Sequence, residues 1–77
     1  MRVKIRKRER GSIPSESVVT IQTASGDEEV VVHASQVKDD TVEVGVIGRE
    51  DDRALIELPR ETVSGRWRIW VPVSALA

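Results

Sequence analysis

Cysteine is absent from these 77 residues, which removes disulfides, thiolate metal sites and cysteine nucleophiles. Tyrosine and phenylalanine are absent too, and tryptophan occurs only twice, so the stacking platforms used on single-stranded nucleic acid have little to build on. A single histidine leaves one candidate general base. No apolar run approaches the roughly 18 residues that a membrane span requires. Neither sign of charge dominates, with 12 Lys+Arg against 13 Asp+Glu and a formal net charge of −1. The overall balance therefore points to neither nucleic acid nor an anionic membrane.

What the chain does have is β-branched residues: 13 Val, 6 Ile and 4 Thr, against 3 Leu. Branching at Cβ favours extended backbone over helix, and the alternating period prevails throughout, so the fold class is all-β. The length allows one domain, spanning 1–77. A domain of about 60 residues buries only about 60% of its unfolded surface, so a modest core, helped by self-association, is the expected solution.

Charge is uneven along the chain. Residues 1–10 sum to +5 through Arg2, Lys4, Arg6, Lys7, Arg8 and Arg10 against Glu9, and residues 11–77 sum to −6. Val3 and Ile5 alternate with the first cations, which predicts a basic N-terminal edge strand or tail. No apolar stretch follows it, unlike in a secretory signal, so a cytoplasmic protein is expected. Gly11 to Ser15 reads as a turn. Ser17–Thr23, the turn Ala24-Ser25-Gly26-Asp27 and Glu28–Ala34 then form a hairpin signal. Thr41–Ile47 is predicted as a strand with Val42, Val44 and Val46 on one face and either a bulge or a close backbone approach at Gly45. A polar turn over 48–52 leads to Arg53–Leu58, with Ala54, Ile56 and Leu58 inward. After a loop over 59–66, Trp67, Ile69, Val71 and Val73 alternate with Arg68, Trp70 and Pro72.

The chain also repeats. A shift of 39 places Ser25-Gly26 on Ser64-Gly65 and Val32-His33-Ala34-Ser35-Gln36-Val37 on Val71-Pro72-Val73-Ser74-Ala75-Leu76. Upstream, with two extra loop residues in the second copy, Val19-Thr20-Ile21 falls on Ile56-Glu57-Leu58. Each copy reads as a hairpin followed by a turn that Ser35 or Ser74 is expected to cap, before Val37 or Leu76 returns to the core.

Ala54-Leu55-Ile56-Glu57-Leu58 followed by Trp70-Val71-Pro72-Val73-Ser74-Ala75-Leu76 resembles a Trp-Val-Pro-x-Ser hairpin module of small uncharacterised bacterial and phage β-proteins. Where that module reads Lys and Gln, this chain has Val73 and Ala75. A strand ending in Trp, Val and Pro before a short turn is also similar to the end of SH3-like barrels. The resemblance implies a small SH3-like barrel of five or six antiparallel strands, with an OB-type barrel as the alternative. It implies no activity, and the absence of tyrosine removes the proline-peptide groove.

No residue set suggests an enzyme. His33 lacks a nucleophile and an orienting acid, the doublets Glu28-Glu29, Asp39-Asp40 and Asp51-Asp52 lack calcium-loop spacing, and no phosphate loop is present. No cofactor or metal is expected. Two surfaces stand out. By alternation Trp70 shares a face with Arg66, Arg68, Leu55 and Val31, the composition of a protein-interaction or self-association surface. The alternative is nucleic-acid binding through Lys4, Arg6, Lys7, Arg8 and Arg10. The same alternation sends Trp67 to the core, so Trp67→Ala is expected to cost roughly 3–5 kcal/mol and Trp70→Ala much less.

Overall fold

Alternation of β-branched and polar residues produces strands nearly everywhere it occurs. The computed structural model describes residues 1–77. Its strands are β1 (Arg2–Lys4), β2 (Lys7–Arg10), β3 (Glu16–Thr23), β4 (Gly26–His33), β5 (Val37–Lys38), β6 (Thr41–Glu43), β7 (Gly45–Glu50), β8 (Arg53–Glu57) and β9 (Arg68–Pro72). Two 3-10 turns, Ala34–Gln36 and Val73–Ala75, are the only helical pieces. The protein is all-β, and no helix is long and apolar enough to cross a membrane.

The strands form three antiparallel sheets with orders β1-β6-β5, β2-β3-β4 and β7-β8-β9. Nine strands thus replace the five or six expected, and neither the SH3-like nor the OB-type barrel is closed. Each discrepancy has a local cause. The basic segment 1–10 breaks between β1 and β2 because the Ile5 N–H turns to the Asp40 carbonyl and the Arg6 N–H to the Thr20 carbonyl. The predicted strand 41–47 breaks at Val44, whose N–H donates to the Met1 carbonyl. Asp39 and Asp40 turn the chain with φ of 52° and 55°, which adds the short β5. The bulge falls between Val46 and Gly48, not at Gly45. The polar turn shrinks to Asp51-Asp52, with Asp51 at φ 55°, a backbone region that short polar side chains tolerate.

The two larger sheets share one pairing scheme. In β3·β4, Ser17, Val18, Val19 and Thr20 lie opposite Val32, Val31, Val30 and Glu29. In β8·β9, Ala54, Leu55, Ile56 and Glu57 lie opposite Val71, Trp70, Ile69 and Arg68, the same register displaced by 37 residues in one strand and 39 in the other. In the small sheet Val3 lies opposite Val42. Val42 also faces Val37, and Val3 bridges to Leu76, so the displacement of 39 exchanges these two contacts.

Inward-facing residues from all three sheets form one cluster that includes Val3, Val19, Ile21, Val30 and Val32 from the first half of the chain. Val42, Val44, Ile56, Leu58, Ile69 and Val71 come from the second half. Val37 and Leu76 pack on its margin after their 3-10 turns, as the repeat predicts for their positions. The serines do not cap those turns. His33 caps the first: its side chain accepts from the Ser35 N–H, and the Gln36 side chain accepts from the His33 N–H. The second turn begins at Pro72 and has no side-chain cap.

Candidate functional site

Pairing within β7-β8-β9 decides what surrounds Trp70. Leu55 lies directly opposite it, and Arg53 and Glu57 flank Leu55 on the same side of β8. The Arg53 guanidinium sits 4.6 Å from the Trp70 ring centroid, and it also bonds Glu50 at 3.1 Å. Arg68 is held by Glu57 at 3.2 Å. The ring is half-buried at the wall of a groove of about 220 Å3, lined by Arg53, Arg66, Arg68, Ile69 and the hairpin tip Thr23-Ala24-Ser25. That tip is pinned to β9 because the Ala24 N–H donates to the Trp70 carbonyl at 2.9 Å. Arg66 has no carboxylate in contact, although its charge acts on Glu28.

Of the residues expected on this face, the structure brings together Trp70, Leu55, Arg66 and Arg68. Val31 does not join them. It lies opposite Val18 in the other large sheet, at the register position that corresponds to Trp70. The placement of Trp67 is also corrected. It is 52% exposed and sits in the loop before β9. Alternation does place it on the side opposite Trp70, but the sheet ends at Leu58, whose N–H bonds the Trp67 carbonyl. Nothing from the opposing layer reaches past that point to cover the ring. Sequence reasoning missed Arg53, although its position two before Leu55 on a strand was enough to place it beside Trp70.

The N-terminal cations do not form one stripe. Lys4 reaches the Ser74 carbonyl at 3.1 Å. Arg6 pairs with Asp27 at 3.7 Å and Lys7 with Glu9 at 3.1 Å. Arg8 donates to the Ser17 hydroxyl at 3.2 Å. Pairing on β3 sends Lys7 to the side of Thr20, and Arg8 and Arg10 to the side of Val19 and Ser17. Arg8 and Arg10 border a depression of about 360 Å3 that Glu9 and Glu16 also line, and those carboxylates oppose an anionic ligand.

His33 is exposed, with Nδ1 2.6 Å from the Ser35 hydroxyl. Because Nδ1 also accepts from the Ser35 N–H, this contact belongs to the cap of the 3-10 turn. No group of three or more His, Asp or Glu converges anywhere in the chain. The titratable group that stands out is Glu28. Its carboxyl is held below the ordinary value of 4.5 by the Ser64 hydroxyl, donating at 2.6 Å, then by Thr62 and the charge of Arg66, against partial burial that pushes it up.

No protein-family model matches this chain, and no curated protein or solved structure matches it either.

Proposed function

We propose that the chain is a non-enzymatic protein-interaction module whose contact surface is the Trp70 face of β7-β8-β9. The observation that carries this reading is the stack of Arg53 over a half-buried Trp70, with Arg66 and Arg68 on the rim of the same groove. Tryptophan and arginine are the residue types that dominate interface energetics, because each combines a large flat apolar area with directed polar contacts. The stack holds the ring in one orientation, so little freedom remains to be lost on binding. The intrachain pairs on Arg53 and Arg68 are exposed and individually weak, so a partner's carboxylates can exchange for them. Nucleic-acid binding is less well supported, since its cations diverge onto two sides of β2 and are interleaved with carboxylates.

A photo-crosslinking residue at position 68, in the otherwise unchanged chain in its host cell, tests this reading. Capture of a protein at position 68, whether the same chain or another, with none at the exposed position 40 supports it. No capture at position 68 refutes it.

A further inference from the structure

The shared register of the two large sheets assigns each residue around Trp70 a counterpart on the other sheet. Trp70 corresponds to Val31 and Leu55 to Val18, so both faces keep an apolar centre. Arg53 lies opposite Pro72, and its counterpart Glu16 lies opposite His33. Arg68 lies opposite Glu57, and its counterpart Glu29 lies opposite Thr20. Two residues before Arg68 stands Arg66, and two before Glu29 stands Asp27. At three corresponding positions, arginine on one face is a carboxylate on the other. The rest of each face moderates this contrast without reversing it: Glu50 and Glu57 offset part of the basic rim, Lys7 on the Val18 side is matched by Glu9 at 3.1 Å, and Arg6 and Arg60 approach Asp27 and Glu16 at 3.7 and 4.0 Å. Glu29 and Arg66 have no ion-pair partner within the chain.

Resting on the proposed interaction role of the Trp70 face, we infer that its occupant is the Val31–Val18 face of a second copy of this chain. Trp70 then packs on Val31 and Val18, and Arg53, Arg66 and Arg68 meet Glu16, Asp27 and Glu29. Because the two surfaces differ, the contact is head-to-tail. Each copy keeps one free face of each sign, and the assembly extends with concentration unless a ring closes. Two basic faces would repel each other, as would two acidic ones, so the charges favour the head-to-tail contact over a symmetric pairing of like faces.

Charge reversal with the full-length chain tests this. One variant carries Arg66→Glu and Arg68→Glu, and the other carries Asp27→Arg and Glu29→Arg. All four sites are exposed, and far-UV circular dichroism checks that each variant keeps the fold. The wild type is expected to show a sedimentation coefficient that rises with concentration up to about 1 mM. Association should weaken about tenfold or more between about 0.05 and about 0.5 M salt. Each variant alone should stay monomeric. Their equimolar mixture should associate again and grow with concentration as an alternating assembly, because the unchanged faces of the two variants form the wild-type contact and their reversed faces form its charge-swapped counterpart. A monomeric wild type, or a mixture that stays monomeric, overturns the inference. Wild-type association that survives in both variants also overturns it, by placing the contact elsewhere. If a crosslinker at position 68 captures a different protein while the wild type is monomeric, the head-to-tail contact fails and the interaction role of the Trp70 face stands.

Discussion

Replacing each tryptophan in turn tests the placement of both. Trp70 is half-buried between Leu55 and the Arg53 guanidinium. An aromatic ring that withdraws roughly 150 Å2 from water at about 25 cal/mol per Å2 contributes about 3–4 kcal/mol. A compact unfolded chain reduces that figure, and the cation–π contact restores about 0.5–1 kcal/mol. Trp70→Ala should therefore cost about 3 kcal/mol. Trp67 leaves about half of its surface in water and stands outside the core cluster, so Trp67→Ala should cost about 1 kcal/mol or less. This order reverses the one that the alternation pattern predicts. Urea unfolding followed by far-UV circular dichroism measures both costs without relying on the fluorophore removed. The emission of the remaining ring adds a second readout, red-shifted when only Trp67 is left. Equal costs, or a larger cost for Trp67→Ala, would refute the assigned positions.

Two further outcomes follow from particular contacts. Glu28 titrates below 4.5 in the folded chain, so it adds stability that is present above its unfolded pKa and is lost as pH falls through the lowered folded value. Glu28→Gln removes this term, and stability against pH should then fall less steeply below pH 4.5 than in the wild type; parallel curves would show that the Ser64 bond does not hold the carboxylate. At Gly11 an added Cβ would lie 2.5 Å from the Glu16 Cβ, whereas at Gly48 it would meet nothing within 4 Å. Gly11→Ala should cost about 1–3 kcal/mol, and Gly48→Ala should raise stability by up to about 0.5 kcal/mol. Thermal melts in which the two variants shift alike would contradict the packing at Gly11.

The sequence made legible whatever depended on alternation alone. Ala54, Ile56 and Leu58 are inward and buried, the hairpin over 16–33 forms with its turn at Ala24-Ser25, and Leu55 and Trp70 meet. What failed needed knowledge of where the sheets end. Trp67 has the correct parity and no layer above it. Val31 has the parity of Trp70 and belongs to a different sheet. The strand count failed because segments 1–10 and 41–47 each change partner midway: Ile5 and Val44 end the β1·β6 ladder on carbonyls far along the chain, and the residues after them pair with other strands, a switch that no local pattern encodes. The role of His33 as a turn cap depends on Gln36 three residues on, a capping-box spacing that the sequence does contain.

The small sheet explains why the two large ones can carry opposite charge. Ile5 donates to Asp40 and Val44 to Met1, both at 2.9 Å, and a displacement of 39 residues turns one bond into the other. Each half of the chain therefore completes its ladder on the other half, with the Val3–Val42 pair between them at 0% exposure. The inward positions are constrained by this shared core: Val19 and Ile56, Val30 and Ile69, Val32 and Val71 are corresponding residues, all aliphatic and buried. Exchanging any of these for a charge would strand an unpaired ion in an apolar interior. The outward positions carry no such constraint, because their charges stay in water and exposed ion pairs contribute little to folding. A single backbone scheme used twice can thus keep one core while its two outer faces take opposite signs. Any selectivity of this chain for a partner must then reside in those outer faces and not in the core, and that is where reversing charge is expected to change association without changing the fold.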